Sequence, residues 1–282
     1  TPRLKARNHI ERLIMLLLAL SSGVAILTTV GIVLSMIGEA IHFFRYVSPV
    51  EFFFGTVWNP RFSTAGSGTQ GQFGLLPLLW GTLMVSIIAL LVAIPLGLMT
   101  AIYMAEYAPA WLRSVAKPII EILAGIPTIV YGFFALVVIG PFLSGLGEMI
   151  GISIRATSAL TAGLVMGIMI IPFVSSLSDD IITQVPKALR DGALGLGATK
   201  SESIRQVVLP AALPGIVGAF LLAASRAIGE TMIVVLAAGN NPALHANPFE
   251  AVSTITVTIV NQLTGDMDFS SPQSLVAFAL GL

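Results

Sequence analysis

A polar segment in the second half of the chain decides the fold: Lys187-Ala-Leu-Arg-Asp-Gly-Ala-Leu-Gly-Leu-Gly-Ala-Thr-Lys-Ser-Glu-Ser-Ile-Arg-Gln-Val-Val-Leu-Pro210. It is rich in charged residues, glycine and serine, whereas long apolar runs flank it on both sides. In a chain that crosses a membrane several times, such a segment is a loop between two spans. Its gapped Gly and Pro pattern favours a loop that docks on a partner over an ordinary solvated loop.

This docking loop, residues 186–206, contains the signals for two short helices separated by a turn. Pro186 suits a helix start because its missing N–H is one of the donors that would be unpaired there. We therefore predict a helix of about two to three turns over Lys187–Leu196. Gly197 permits a tight turn after it, and a second short helix then runs from Lys200 towards Val208. A short helix between two bends can lie in a groove of a partner and move as a unit.

The composition places the whole chain in a membrane. Of its 282 residues, 56% are hydrophobic and only 10% are charged, whereas a soluble domain carries about 25% charged residues. The chain contains no cysteine, which excludes disulfides, thiolate metal sites and cysteine catalysis. The 14 basic and 14 acidic residues cancel, so net charge indicates no partner. We predict an all-α polytopic membrane helix bundle.

Apolar runs divide the chain into spans. We predict spans over 13–38, 75–103, 118–139, 157–177 and 207–238. The first is a transmembrane helix that follows a short N-terminus, 1–12, and precedes an extramembrane lobe, 39–74. The remainder, 75–282, forms the multi-pass core. Its last apolar run, 274–282, is too short to cross about 30 Å of hydrocarbon, so we expect the chain to stop inside a sixth transmembrane helix.

The basic residues predict the orientation of these spans. The N-terminus and the segments 105–117 and 178–205 hold ten of the 14 Lys and Arg residues. Because Lys and Arg accumulate in cytoplasmic loops, we expect a cytoplasmic N-terminus. The segments 39–74 and 239–272 then lie outside the cytoplasm.

Two charges lie within the fifth apolar run. Arg226 and Glu230 are four residues apart inside 219–236, so we expect them to share one helix face. A charge at this depth costs about 2.5–3.5 kcal/mol on insertion scales. The pair is either a structural ion pair or a site where Arg226 offers a bidentate fork to an oxyanion, and chemistry alone favours neither. Glu121 is a third candidate, which we interpret as an interfacial or helix-start acid.

Prolines interrupt several spans. We predict helix breaks at Pro95, Pro127 and Pro172. Broken helices often line the route of a transporter, which makes Thr128 and Tyr131 pathway candidates, although a kinked packing helix is the alternative. Pro127 leaves the carbonyl near Leu123 without its helical donor, so Thr128 or a neighbouring helix must satisfy it.

The remaining polar residues indicate neither a metal site nor an active site. Asp179 and Asp180 begin a loop, and we interpret them as a solvated boundary rather than a metal pair. The three histidines, His9, His42 and His245, are scattered, so no metal constellation is expected. No G-x-x-x-x-G-K-[ST] motif is present, so the chain carries no nucleotide-binding fold of this kind, and we expect it not to be an enzyme.

Four sequence blocks together carry a family resemblance. They are E-I-L-A-G-I-P-T-I-V-Y-G at 121–132, I-M-I-I-P at 168–172, the docking loop, and R-A-I-G-E-T-M at 226–232. The set resembles the phosphate-specific ABC importer permeases. These systems have two paralogous permeases, and the Trp58-Asn59-Pro60 segment after the first span makes the chain more similar to the PstC-type subunit than to the other. The docking loop resembles the EAA pattern E-A-A-x3-G-x9-I-x-L-P, with Asp191, Gly192 and Val207 in place of Glu, Ala and Ile.

The resemblance implies a MetI-like type-1 permease of six transmembrane helices and assigns roles to residues. The residues implied in coupling to an ATPase are Lys187, Arg190, Asp191, Gly192, Ala193, Gly197, Leu209 and Pro210. The residues implied in the substrate pathway are Arg226, Glu230, Thr231, Thr128 and Tyr131.

The resemblance also implies partners and a location. They are a second paralogous permease, two ATP-binding subunits that hold ATP and Mg, and an extracytoplasmic phosphate-binding protein, all at the bacterial inner (plasma) membrane. No cofactor is expected in this chain. Two alternatives stay open: an ABC permease for sulfate, molybdate or an amino acid, and a secondary transporter that uses Arg226 and Glu230. Nothing in the sequence supports a third, a membrane-bound enzyme.

Overall fold

The computed structural model describes residues 2–60, 71–264 and 272–282. The chain divides into two compact units, one of residues 1–52 with 259–282 and the other of residues 53–258.

The first unit is built on one long helix. α1 (Pro2–Phe43) packs against α13 (Pro272–Gly281). It runs past residue 38, where we expected the first span to end, because Gly38 alone does not stop a helix. From Leu13 to Leu34 its large apolar side chains are exposed, as expected of a helix surrounded by lipid. The rings of Phe43 and Phe52 meet edge to face with centroids 5.4 Å apart.

Short elements follow α1. α2 (Pro49–Phe54) precedes the antiparallel pair of β1 (Trp58–Asn59) and β2 (Gln72–Phe73). The rings of Trp58 and Phe73 stack edge to face across this pair at 5.8 Å. This two-stranded ribbon is the only sheet within the described residues, so the helical prediction holds almost throughout. Part of the predicted lobe, 61–70, lies outside the described residues.

Two long helices form the centre of the second unit. α3 (Leu76–Ile102) and α7 (Ala159–Gln184) share the most extensive helix contact in the described part of the chain. Small residues permit this approach: a Cβ on Gly163 would lie 2.7 Å from Ile88 Cβ, and one on Gly167 would lie 2.9 Å from the Ala89 carbonyl oxygen. Close packing over small residues is how helices associate where no hydrophobic force drives them together.

Pro95 and Pro172 lie inside these two helices and do not end them. The predicted breaks at both positions are therefore wrong. Each proline removes one backbone hydrogen bond, but neighbouring helices and local adjustments compensate for this in packed membrane helices. α3 instead changes form at its end, where Tyr103–Tyr107 makes a π-helical turn.

The predicted third span, 118–139, has the wrong bounds, although the structure does break at Pro127 as predicted. α4 (Ala110–Ala124) ends before Pro127, and α5 (Thr128–Phe134) begins after it. α5 continues through a π turn, Ala135–Ile139, into α6 (Gly140–Ile150). Thr128–Ile150 is the helical stretch here that is long and apolar enough to cross a membrane. The apolar run at the end of α4 hid this boundary.

The docking loop contains α8 (Lys187–Gly195) and α9 (Lys200–Ser203), followed by a π turn, Ile204–Val208. α10 (Leu209–Ile228) and α11 (Met232–Ala237) come next. The predicted span 207–238 is thus divided at residues 229–231.

The segment after α11 packs back on α7. Leu160 N–H donates to the Pro248 carbonyl at 2.8 Å, and Gly239 forms a bridge with Val252. α12 (Ile255–Leu263) then lies within the predicted loop 239–272. The loop prediction was therefore incomplete, because Thr and Asn lowered the hydropathy of a helical stretch.

Five helical stretches in the described residues are long and apolar enough to span a membrane: Glu11–Phe43, Leu76–Tyr107, Thr128–Ile150, Ala159–Gln184 and Lys200–Ile228. α13 is shorter, with ten residues. The chain is therefore a multi-pass membrane protein.

Candidate functional site

The break before α5 is held by a tyrosine. Tyr131 O–H donates to the Leu123 carbonyl oxygen at 3.1 Å, and Ile126 N–H reaches the same carbonyl at 3.3 Å. Pro127 has no N–H to donate to the Leu123 carbonyl oxygen. The donor is Tyr131 on the next helix, α5, and not Thr128, which was the other residue that we had considered. Thr128 is the first residue of α5 and is half-buried.

A second break follows α10, and it separates two residues that we expected to share a helix face. α10 ends at Ile228, so Glu230 lies in the break and not on the helix that holds Arg226. Glu230 Oε1 accepts from Met232 N–H at 3.1 Å and from Ile233 N–H at 3.4 Å. Glu230 is therefore the buried acceptor for the start of α11.

Arg226 points elsewhere. Its guanidinium carbon lies 5.5 Å from the ring centroid of Phe173 on α7, within cation–π range. No carboxylate within the described part of the chain forms an ion pair with Arg226, and its side chain is exposed. Arg226 and Glu230 therefore do not form the ion pair that was one of the two alternatives. The guanidinium N–H groups of Arg226 are available to a ligand.

The two half-helices after the breaks pack against each other. α5 contacts α11, and Gly132 makes the contact close: its Cβ would lie 2.9 Å from Leu236 Cδ1 and 3.0 Å from the Met232 carbonyl oxygen. Thr128 and Tyr131 on one half-helix, and Glu230 and Thr231 at the start of the other, therefore belong to adjoining elements. Thr231 is half-buried, and its Oγ1 lies 3.4 Å from the Gly229 carbonyl oxygen.

The docking loop has the local structure that its sequence predicts. Gly197 has φ +90° and lies between α8 and α9, a conformation that glycine adopts without steric cost. α9 begins with a capping box: Glu202 N–H donates to Thr199 Oγ1 at 3.3 Å, and Thr199 N–H donates to Glu202 Oε2 at 2.8 Å.

The surface of this loop is open to a partner. Lys187, Asp191 and Gly192 are exposed on α8, and Ala193 is half-buried. Leu196, at the turn after α8, is 92% exposed. Leu209 and Pro210 begin α10, where Pro lies in the first turn. Arg190 differs from its neighbours because its side chain turns inward and donates to the Ile182 carbonyl oxygen at 2.6 Å.

The interpretation of Asp179 as a solvated boundary is wrong. Asp179 is 3% exposed, and Arg113 Nη2 donates to both of its carboxylate oxygens at 3.0 and 2.9 Å. Lys117 Nζ lies 3.3 Å from Asp179 Oδ2 and 2.6 Å from Asp180 Oδ1. This cluster, Arg113, Lys117, Asp179 and Asp180, joins α4 to α7. The sequence contained a signal for this cluster, because Arg113 and Lys117 are four residues apart and so share a helix face. Two cations on one face can pair with two adjacent acids.

The charges of the cluster reinforce each other. The hydrogen bond from Lys117 to Asp180 raises the pKa of Lys117 above its ordinary value of 10.5, so Lys117 is cationic at any physiological pH. Glu121 lies in the last turn of α4 and lines an open groove with Arg113 and Lys117. Of its two interpretations, the helix-start acid is therefore wrong, and the interfacial acid stays a prediction. Among the described residues, no group of three or more His, Asp or Glu side chains could hold a metal ion.

The fold has known counterparts among transporters. It resembles a chain in a crystal structure of a bacterial alginate ABC transporter with an alginate-bound periplasmic protein, with a TM-score of 0.62 and 19% identity over 94% of this chain and 87% of that chain. An inward-facing MetNI methionine ABC transporter gives a TM-score of 0.51 and 19% identity over 73% of this chain and 88% of that chain. The fold is that of a MetI-like ABC transporter permease.

Sequence relatives assign the family. Residues 93–280 match the family of binding-protein-dependent transport system inner membrane components. The chain is 37% identical to a probable ABC transporter permease, YqgH, from Bacillus subtilis over 84% of this chain and 73% of the relative. It is 36% identical to a phosphate transport system permease protein PstC from Mesorhizobium japonicum over 79% of this chain and 70% of that relative. The chain belongs to the family of binding-protein-dependent transport system inner membrane components.

Proposed function

We propose that this chain is the PstC-type permease subunit of an ATP-driven importer and forms part of the pathway for inorganic phosphate. The observation that carries the proposal is its similarity to phosphate permeases from several bacteria, among them PstC of Mesorhizobium japonicum and of Haemophilus influenzae, each 36% identical. The fold alone does not select the substrate, because permeases of alginate and methionine transporters share it.

The chemistry of Arg226 fits an anionic substrate. Phosphate needs positive charge and N–H donors in a site that is poor in water, and the planar guanidinium binds oxyanions through paired donors. Arg226 has no competing carboxylate within the described residues. Thr128, Tyr131 and Thr231 supply hydroxyl groups on the two adjoining half-helices, and Glu230 fixes the start of α11 beside them.

The proposed partners follow from the same assignment. A second paralogous permease completes the pathway, and two ATP-binding subunits, which hold ATP and Mg, dock on the loop 186–206. A phosphate-binding protein delivers the substrate to the outer segments 39–74 and 239–272. The N-terminus is cytoplasmic, and this chain carries no cofactor and performs no covalent chemistry.

The proposed cycle needs no chemistry in the permease. ATP closes the two ATPase subunits, and α8 carries that motion into the helix bundle. The pathway then opens outward and receives phosphate from the binding protein. Hydrolysis returns the bundle to the inward-open form.

The deciding experiment is ATP hydrolysis by the complex that co-purifies with this chain, reconstituted in lipid. The binding protein is added empty, then loaded with phosphate, and sulfate is offered as the competing oxyanion. We expect stimulation by the phosphate-loaded protein alone. Stimulation by another solute would assign a different ABC importer, and the absence of any co-purifying ATPase would favour a secondary transporter.

A further inference from the structure

We infer that Arg190 is a positioning residue inside the permease. It holds α8, the first helix of the docking loop, against the C-terminal ends of the α3 stretch and of α7. Movement of α8 is transmitted to these two helices through the contacts of Arg190. This inference rests on the proposed function, because it names how the docking loop passes on its motion. The family resemblance implies only that Arg190 takes part in coupling to an ATPase, and the inference names the contacts inside the permease through which it does so.

The first contact of Arg190 is with α7. Its Nη2 donates to the Ile182 carbonyl oxygen at 2.6 Å, and Ile182 lies in the last turn of α7. The last four carbonyl groups of a helix have no donor within that helix, and the C-terminal end carries partial negative charge. The Ile182 carbonyl oxygen already accepts from Val185 N–H at 3.3 Å, so Arg190 adds a second, shorter hydrogen bond and a positive charge at this end of α7.

The second contact is with the π turn that ends the α3 stretch. The same Nη2 lies 3.0 Å from Glu106 Oε1, and the two side chains are only 20% and 9% exposed. Glu106 is an acid near the negative end of a helix, an unfavourable position that the Arg190 cation offsets. One guanidinium thus meets the ends of the two helices that form the centre of the fold.

The loop touches the same π turn at a second point. Lys200 Nζ of α9 lies 4.7 Å from the ring centroid of Tyr107, the residue after Glu106. Because α8 and α9 are separated by the turn at Gly197, these contacts hold the loop at both of its helices. A displacement of α8 therefore acts on the π turn directly, and π turns of this kind are frequent at functional sites.

The Arg190–Glu106 pair is close but not fully satisfied. Glu106 Oε1 and Arg190 Nε are buried and have no hydrogen-bond partner within the described residues, because the Nη2 donor is aimed at Ile182. Buried groups are normally paired. A contact that already lacks its full set of hydrogen bonds loses less when it rearranges, which suits an element that moves during a transport cycle.

The test is the number of phosphate ions taken up per ATP hydrolysed, measured in vesicles that hold the whole transporter and receive its loaded binding protein. For Arg190→Gln we expect the ATPase subunits to co-purify as in the wild type and hydrolysis to continue. Uptake per ATP should fall about tenfold, as for the loss of a typical coupling free energy. Arg12→Gln is the matched control, because it removes an exposed cation outside the docking loop and should leave the ratio unchanged.

Glu106→Gln keeps the size of the side chain and leaves Arg190 on the Ile182 carbonyl, so it tests the pair if the Arg190→Gln permease does not fold. Glu106→Gln should also lower the ratio, and the double variant should be no worse than Arg190→Gln alone, because that substitution already removes the contact with Glu106. An unchanged ratio in Arg190→Gln, or loss of the ATPase subunits from it, would overturn the inference. Failure of the wild type to take up phosphate would instead overturn the proposed function.

Discussion

Asp179 is a buried carboxylate that two cations of one helix hold in place. Arg113 binds it with two hydrogen bonds, and Lys117 bridges it to Asp180. Asp180 is far more open, with 49% of its side chain exposed. The two adjacent acids therefore differ in burial and number of partners, and substitutions at these positions have different consequences.

Asp179→Asn should lower the free energy of unfolding by about 1–3 kcal/mol, because it leaves Arg113 and Lys117 without their shared carboxylate. Asp180→Asn is the control and should cost less than about 1 kcal/mol, as expected for an exposed ion pair. Both values come from unfolding of the purified chain in detergent. Equal losses for the two variants would mean that the buried contact has no special weight.

Arg226→Ala should abolish phosphate uptake while the complex still assembles, because Arg226 makes no ion pair within the described residues and its removal leaves no partner charge unpaired. Arg226→Lys keeps the charge but loses the planar fork, so we expect reduced uptake. Uptake into vesicles and co-purification of the partners measure the two effects. Wild-type uptake by Arg226→Ala would remove this residue from the pathway.

Among the elements, α5 and α11 are two half-helices whose contact depends on one glycine. Gly132→Ala would place a methyl group against the α11 backbone, and overpacking of this kind costs about 1–3 kcal/mol. Gly218→Ala is the control, since the chain leaves open space around its Cβ. Thermal unfolding of the isolated chain should show a loss only for Gly132→Ala. A similar melting temperature for both would mean that α5 and α11 adjust freely.

The turn between α8 and α9 gives a second comparison of glycines. Gly197→Ala forces an alanine to φ +90°, a strain of about 1–2 kcal/mol. Gly195→Ala, at the end of α8, should instead support the helix by up to about 1 kcal/mol. Amide exchange at Ala198, whose N–H donates to the Ala193 carbonyl oxygen, should quicken in the first variant and not in the second. Faster exchange in both variants would contradict the assigned turn.

Local signals in the sequence were sufficient to predict the docking loop. Pro186 and Gly197 act within a few residues of the helices that they bound, and α8 and α9 begin at Lys187 and Lys200, where the sequence predicts them. The capping box of Thr199 and Glu202 was not used in that prediction. The break at residues 229–231 gave no such signal. It depends on Glu230, whose carboxylate serves α11 and whose carbonyl accepts from Thr256 Oγ1 at 3.0 Å, 26 residues away.

Two other features could not be predicted for related reasons. Pro127 indicated the break after α4, but hydropathy does not show that α4 lies outside the span, because the apolar residues continue past Ala124. The burial of Asp179 depends on Arg113 and Lys117, which lie 66 and 62 residues earlier. A contact over such a distance follows from the packing of α4 on α7 and not from the neighbours of Asp179 in the sequence.

For the whole molecule, the sidedness of its segments is a testable prediction. The chain has no cysteine, so a single introduced cysteine reports its own position without background. In the permease without its ATPases, Leu196→Cys should react with an impermeant reagent from the cytoplasmic side only, and Ala246→Cys from the opposite side only, since both positions are exposed. Reaction of both from one side would refute the orientation predicted by the basic residues.

The order of the charged cluster along the chain also fixes the order of its synthesis. Arg113 and Lys117 precede Asp179 by 66 and 62 residues. At about 5–20 residues per second, the ribosome completes both cations roughly three to thirteen seconds before it adds the acid. The carboxylate is thus synthesised after its counter-ions. A circularly permuted gene that placed α7 ahead of α4 would reverse this order, and Asp179 would be synthesised before either of its partners.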